Sequence, residues 1–178
     1  PAICRKRRVY AYDFRTNAIS HTEGPTDYWR DVGTVESYYH AHMDLNSPLC
    51  HLDLHNPHWP LRSVNGHHLP STVMEDLYGT SGSVENSVLA GSTIVSGGYV
   101  RNSVIGPRVT IASGAVVEDS VLLGDVAVGE RARIQRAIID HGNVIRAGER
   151  MGYDPDSDAD HYYLDESGIV VVPHRHVH

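Results

Sequence analysis

Four short segments of similar pattern recur at nearly constant intervals in the second half of this sequence. They are Ser87-Val88-Leu89, Ser103-Val104-Ile105, Ser120-Val121-Leu122 and Ala137-Ile138-Ile139, and their starts lie 16, 17 and 17 residues apart. Aliphatic residues then follow at steps of six, six and five, as in Ile105, Ile111 and Val117, Leu122, Val128 and Ile134, and Ile139, Ile145 and Met151. In the preceding repeat we assign this role to Leu89, Ile94 and Val100. A period of six fits neither a helix face, of period 3.6, nor a half-buried strand, of period two.

This rhythm predicts short strands separated by turns, with three strands in each coil and one inward aliphatic residue on each side. Small residues recur between the strands, where tight or positive-φ backbone is needed; they are Gly106, Ser113, Gly114, Gly124, Gly129, Gly142 and Gly148. We therefore expect a mainly β fold, a triangular parallel β-helix whose coils over residues 87–152 bury one another's cores. A β-sandwich would need longer strands and hairpin turns such as Asn-Gly, which this stretch lacks.

Composition and charge narrow the classes of function. No run of about 18 apolar residues occurs, so the sequence predicts no membrane span. The net charge of −7 disfavours general nucleic-acid binding, because such binding depends on neutralising phosphates. Cys4 and Cys50 form no disulfide framework and the N-terminus has no signal-peptide pattern, so we expect a cytoplasmic protein.

The residues before the coils are predicted to form elements of a different kind. We expect strands at 9–14 and 28–32 around a loop at 15–27, and a helix at 35–45 with Thr34 as its N-cap. These few elements cannot bury both faces of a sheet. They are therefore typical of the end of a larger α/β domain. We divide the chain into that incomplete domain (1–45), a linker (46–86) and the β-helix domain (87–178), which ends in a closing strand at 168–172 and a polar tail.

Neither the thirteen histidines nor the acidic stretch at 154–160 has the spacing of a metal site. His40 and His42 are two residues apart on the predicted helix, so they face different ways. The acidic stretch begins like a calcium loop, but Ala159 stands where that loop requires glycine. We interpret these residues as ordinary surface groups and 154–160 as a solvated loop.

Several motifs, in order, carry a family resemblance. They are Tyr28-Trp29-Arg30-Asp31-Val32-Gly33-Thr34, Val35-Glu36-Ser37-Tyr38-Tyr39, Met43-Asp44-Leu45, Trp59-Pro60-Leu61-Arg62, Ile94-Val95-Ser96-Gly97-Gly98, Asn102-Ser103-Val104 and the strand at 168–172. Together they resemble the C-terminal part of bacterial glucose-1-phosphate adenylyltransferase (ADP-glucose pyrophosphorylase), over nearly the whole chain. The resemblance implies that residues 1–45 end a nucleotidyltransferase domain and that the β-helix is left-handed.

The resemblance also implies a reaction, in which ATP and glucose 1-phosphate give ADP-glucose and pyrophosphate with Mg²⁺ during bacterial glycogen synthesis. Such an in-line transfer depends on positioning and on charge neutralisation. By resemblance, Asp31 is one of two carboxylates that hold the metal, and Trp29 lies beside the bound sugar nucleotide. A carboxylate suits Mg²⁺, which prefers oxygen ligands. Without the motif, Asp31 would be interpreted as an ordinary turn residue.

Some features of the family do not occur in these 178 residues. The Gly-rich nucleotide loop, the second metal carboxylate and the phosphate-contacting lysines are missing, and Lys6, the one lysine, lies in no matching motif. We therefore expect no catalytic residue in this chain and no activity from the chain alone, which would be a truncated product, a domain or half of a split protein. The family further implies an allosteric effector, for which Arg108 is the candidate contact, and a homo-oligomer, a tetramer in the family.

Two other functions remain open at this point. One is a hexapeptide-repeat acyltransferase, which uses the same prism with a catalytic histidine; His141 is the histidine inside the coils. The motif at 28–34 has no place in that family. The other is a regulatory or oligomerisation module without chemistry of its own, since such prisms pack readily in symmetric oligomers.

Overall fold

The computed structural model describes residues 8–13, 28–50, 52–58, 60–61 and 68–174. The chain divides into two compact units. One comprises Pro1–Trp29 and Leu49–Val64, and the other Arg30–Pro48 and Asn65–His178. No helix among these residues is long and apolar enough to cross a membrane.

The described residues of the first unit have irregular backbone. The strand predicted at 9–14 is wrong for residues 9–13, which form no strand, and position 14 and the loop at 15–27 lie outside the described residues. A turn near Asn56 is held by side chains, because His58 donates its backbone N–H to Asn56 Oδ1 at 2.9 Å. The strand predicted at 28–32 also does not form.

In its described residues, the second unit contains two α-helices and a solenoid of three sheets. The helices are α1 (Val35–Met43), which continues as a 3₁₀ turn (Asp44–Asn46), and α2 (Pro155–His161). The first sheet has β1 (Thr72–Met74), β4 (Ile94–Ser96), β7 (Thr110–Ile111), β10 (Ala127–Val128) and β13 (Val144–Ile145). The second has β2 (Ser83–Glu85), β5 (Tyr99–Arg101), β8 (Val116–Glu118), β11 (Arg133–Gln135) and β14 (Arg150–Met151). The third has β3 (Val88–Leu89), β6 (Val104–Ile105), β9 (Val121–Leu122), β12 (Ala137–Ile139), β16 (Val170–Val172) and β15 (Tyr163–Leu164).

The strands of each sheet come from successive coils and pair in parallel, apart from the antiparallel β15. This confirms the predicted β-helix. Its strands begin at Thr72, inside the stretch predicted as a linker, because β1 and β2 already pair with β4 and β5.

Three rows of inward aliphatic side chains form the core. They are Val95, Ile111, Val128 and Ile145, then Val84, Val100, Val117, Ile134 and Met151, then Leu89, Ile105, Leu122, Ile139 and Val172. The predicted steps of six, six and five are confirmed, with one correction. Val95 is fully buried whereas Ile94 is 42% exposed, so Val95 and not Ile94 fills the inward position. The repeat that begins at Leu89 is one residue shorter than the others. Its missing residue falls between Val95 and Val100, because the step from Leu89 to Val95 is the usual six residues.

The corners of the prism use left-handed backbone, and not only at glycine. One corner row consists of Asn86, Asn102, Asp119 and Arg136, with φ of 42°, 45°, 46° and 48°. Asparagine and aspartate tolerate this region better than most residues. Stacked side chains brace the row, since Asn86 Nδ2 donates to Asn102 Oδ1 at 3.0 Å and Asn102 Nδ2 donates to Asp119 Oδ1 at 2.6 Å.

The last coil ends differently from the prediction. The acidic stretch at 154–160, predicted as a loop, mostly forms α2, because Asp154 caps its N-terminus and Pro155 occupies its first turn. The predicted closing strand forms as β16, which continues the third sheet in parallel with β12. At the exit from β14, Gly152 is required, since a Cβ there would lie 1.7 Å from the Gln135 carbonyl oxygen.

The stacked core makes a direct prediction about stability. Leu122→Ala removes a fully buried side chain and leaves a cavity, so we expect the free energy of unfolding to fall by about 2–5 kcal/mol. Leu77→Ala is the matched control, because Leu77 is 98% exposed. Denaturant unfolding followed by circular dichroism measures both variants. Equal losses in the two variants would contradict the inward assignment of Leu122.

Candidate functional site

The segment that carries Asp31 leads directly into α1. Thr34 caps the helix, since Ser37 donates its backbone N–H to Thr34 Oγ1 at 3.1 Å and Thr34 N–H donates to Ser37 Oγ at 3.0 Å. This confirms the predicted N-cap, with serine in the place of the usual glutamate of a capping box. Arg30 Nε donates to Asp44 Oδ2 at 2.7 Å, which ties the residues before the helix to the turn after it.

Helix α1 packs on the outer face of the third sheet. Tyr39 is its most buried residue, 4% exposed, and contacts the cluster that Val121, Ile138 and Ile169 form. Its hydroxyl donates to the Asp119 carbonyl oxygen at 2.6 Å. Burial raises the pKa of Tyr39, and the charge of Asp119 raises it further against the opposing effect of Arg136. The hydroxyl therefore stays protonated as a donor, and the helix is anchored to the solenoid.

Asp31 is exposed at the start of this anchored segment. Its Oδ1 accepts a hydrogen bond from the Gly33 N–H at 3.1 Å, the geometry of an Asx turn. An accessible carboxylate fits Mg²⁺, which typically takes one or two protein carboxylates together with substrate oxygens. Within the described ranges, no three histidine, cysteine, aspartate or glutamate side chains are arranged to hold a metal ion. Asp31 is thus suited to supply one ligand, not a complete site.

The other substrate residue predicted from the motif, Trp29, is 71% exposed. It belongs to the first compact unit, whereas Asp31 belongs to the second. A flat, accessible indole is able to stack on a sugar or a base.

A cleft of about 380 Å³ lies between the start of α1 and the third sheet. Its walls are mostly apolar, from Val32, Val35, Leu123, Ile138, Val171 and Pro173, with Thr34, Tyr38 and Asp140 as the polar groups. Burial alone would raise the pKa of Asp140, but hydrogen bonds from the backbone and ring of His141 and the backbone of His174 outweigh it and lower that pKa. Burial and the Asp140 charge raise the pKa of Tyr38. Sequence reasoning missed this cleft, because its two walls, at 32–38 and 123–173, are at least 85 residues apart in the chain.

Arg108, the predicted effector contact, lies at a corner in left-handed backbone, with φ of 58°. Its Nε donates to Oδ1 of Asp125 in the next coil and its Nη2 donates to Oδ2 of the same residue, both at 2.6 Å. This hydrogen-bonded pair raises the pKa of Arg108 and lowers that of Asp125. An anion at Arg108 would therefore compete with Asp125. Arg108 is not among the residues that line the cleft beside α1.

His141, the candidate base of an acyltransferase, is exposed on the fourth coil. Its Nδ1 lies 2.7 Å from Asp140 Oδ1, and its ring stacks on that of His174 with centroids 4.1 Å apart.

His40 and His42 contact different groups, as their spacing predicted: His40 lies 3.9 Å from Glu36, whereas His42 contacts the Tyr38 carbonyl oxygen.

The stacked three-sided coils place this chain among the hexapeptide-repeat β-helix proteins. Over residues 69–172 it matches the family described as GlmU-like, C-terminal hexapeptide, and the chain belongs to that family.

Several curated relatives are named glucose-1-phosphate adenylyltransferase. Glucose-1-phosphate adenylyltransferase of Deinococcus deserti is 43% identical over 93% of this chain and 40% of its own length. The proteins of the same name from Deinococcus radiodurans and Pectobacterium carotovorum are 41% and 37% identical over 95% and 97% of this chain, and over 41% and 40% of their own lengths. The resemblance seen in the motifs is confirmed. The chain spans about two fifths of the length of these relatives.

The anchor of α1 is testable with a matched pair of tyrosines. Tyr39→Phe removes the donor to the Asp119 carbonyl and leaves a poorly hydrated acceptor, so we expect a loss of about 1–3 kcal/mol in stability. Tyr78→Phe should change stability little, because Tyr78 is 88% exposed. Thermal and urea unfolding of the two variants check this. A Tyr39→Phe protein as stable as the Tyr78→Phe protein would show that the hydroxyl does not anchor the helix.

Proposed function

We propose that this chain is part of an enzyme that makes ADP-glucose and pyrophosphate from ATP and glucose 1-phosphate, for glycogen synthesis in the cytoplasm. The observation that carries the proposal is the similarity to proteins named glucose-1-phosphate adenylyltransferase, which extends over 93–97% of this chain. The similar part includes the segment at 28–34 and not the β-helix alone. A β-helix module of unrelated function would not need that segment.

In this proposal Asp31 holds Mg²⁺ together with phosphate oxygens of the substrates. When bound, the ion neutralises charge on the reacting phosphates. Asp31 is suited to the role because its carboxylate is accessible and its backbone leads into a capped helix that Tyr39 anchors. Trp29 is proposed to contact the sugar nucleotide through its exposed ring.

The β-helix is proposed to serve regulation and oligomer contacts, as in a homotetramer. Arg108 is the proposed contact for an anionic effector, which would have to displace or share the Asp125 ion pair. No catalytic residue is assigned within these 178 residues beyond the metal ligand.

We expect the isolated chain to be inactive. Asp31 is one carboxylate, and the 178 residues contain no Gly-rich nucleotide loop followed by a basic residue. Release of pyrophosphate from ATP and glucose 1-phosphate should therefore equal the rate without protein. The relevant measurement is a coupled pyrophosphate assay at saturating Mg²⁺. Turnover above background would overturn the expectation that a further part is needed.

The metal role of Asp31 is tested in the complete gene product that contains this sequence. We expect Asp31→Asn to lower kcat by roughly 100-fold or more, because a charged ligand is replaced by a neutral one. Asp160→Asn, an exposed aspartate on α2, should leave kcat within about twofold, as for surface changes in general. Mn²⁺ binding followed by electron paramagnetic resonance gives a second readout. Equal kcat and equal Mn²⁺ affinity in both variants would contradict the proposed role.

A further inference from the structure

A second cleft, of about 360 Å³, lies at the last coil between the β13–β14 turn and helix α2. The side chains that matter here are Arg146, Glu149, Arg150, Ser157, His161 and Tyr162. It shares no lining residue with the cleft beside α1 and does not include Asp31 or Arg108. Its volume suits a small ligand.

The one carboxylate in this cleft is already engaged in holding its walls together. Glu149 Oε2 accepts the backbone N–H of Arg146 at 2.6 Å, and Oε1 accepts the hydroxyl of Tyr162. In the part of the chain that the structure describes, neither Arg146 nor Arg150 forms an ion pair with a carboxylate. Arg101 and Arg108, by contrast, pair with Glu118 and Asp125. The cleft therefore carries uncompensated positive charge.

A second arginine in register with Arg150 adds to this excess. Arg133 and Arg150 occupy the same register on β11 and β14, so two exposed arginines face out of the second sheet on strands about 4.8 Å apart. Like charges directly opposite each other destabilise a sheet. The Arg150 guanidinium lies 5.1 Å from the centre of the Tyr153 ring, a contact that is favourable but supplies no negative charge. A bound anion would offset the repulsion.

Helix α2 contributes a histidine to the lining of this cleft. His161 Nδ1 lies 2.8 Å from the Ser157 carbonyl oxygen, and because a carbonyl only accepts, Nδ1 carries the proton. The other acids of α2 do not line the cleft: Asp158 is buried and accepts the Gly152 N–H at 2.9 Å, whereas Asp156 and Asp160 are exposed.

We propose that this cleft binds the phosphate group of a small phosphorylated molecule through Arg146 and Arg150. Arginine forms short, charge-assisted hydrogen bonds to phosphate oxygens. The site is distinct from the Asp31 segment, so the proposal does not depend on the adenylyltransferase reaction.

Titration calorimetry of the 178-residue chain with inorganic phosphate at pH 7 tests the site. We expect saturable binding of one phosphate, weakened at least fivefold by Arg146→Gln and by Arg150→Gln. Arg131→Gln is the matched control, because Arg131 is an exposed arginine of the same coils that does not line the cleft, and it should change affinity less than twofold. Circular dichroism confirms that each variant is folded. Absence of saturable binding, or equal weakening by Arg131→Gln, would overturn the proposal.

Discussion

The stacking of aliphatic side chains between successive coils is the interaction on which the rest of this structure depends. Strands of two or three residues cannot be stable alone, and each coil buries its inward residues only against the coils above and below it. Val117, Leu122 and Ile134 are fully buried in this way. Each methylene removed from water contributes about 0.8 kcal/mol, and the three inward rows oppose in this way the cost of ordering many tight corners.

This stacking also positions the charged and polar side chains on the surface of the solenoid. Because the coils are in register, a residue at one corner lies directly above its equivalent in the next coil. The Arg108–Asp125 ion pair and the Asn86–Asn102–Asp119 ladder both arise from this vertical relation. The same geometry forces Arg133 and Arg150 together, where no carboxylate of the sheet separates them. The regular rise of the prism therefore sets the spacing of charged groups along its faces.

The outer face of the third sheet has a separate role, since it carries helix α1 and with it the Asp31 segment. Outward Val121 and Ile138 pack against Tyr39, and the Asp119 carbonyl accepts its hydroxyl. The proposed metal ligand and the proposed regulatory solenoid therefore belong to one packed unit. Tyr39 is the contact through which the solenoid holds the base of that segment.

The repeat alone determined the three-sided coil and the inward rows from Ile105 to Met151, and Thr34 alone indicated the cap of α1, because period and capping are local properties of the chain. The motif at 28–34 likewise pointed to the family. Only the tertiary structure decided that Val95 replaces Ile94, that Arg108 is paired with Asp125, and that residues 155–161 form a helix. It also created the two clefts, since each joins segments whose contact depends on packing rather than on spacing in sequence. The corners show most plainly what the sequence could not predict. Arginine adopts φ of 48°–58° there because the stacked coils hold the backbone, although arginine itself disfavours this region.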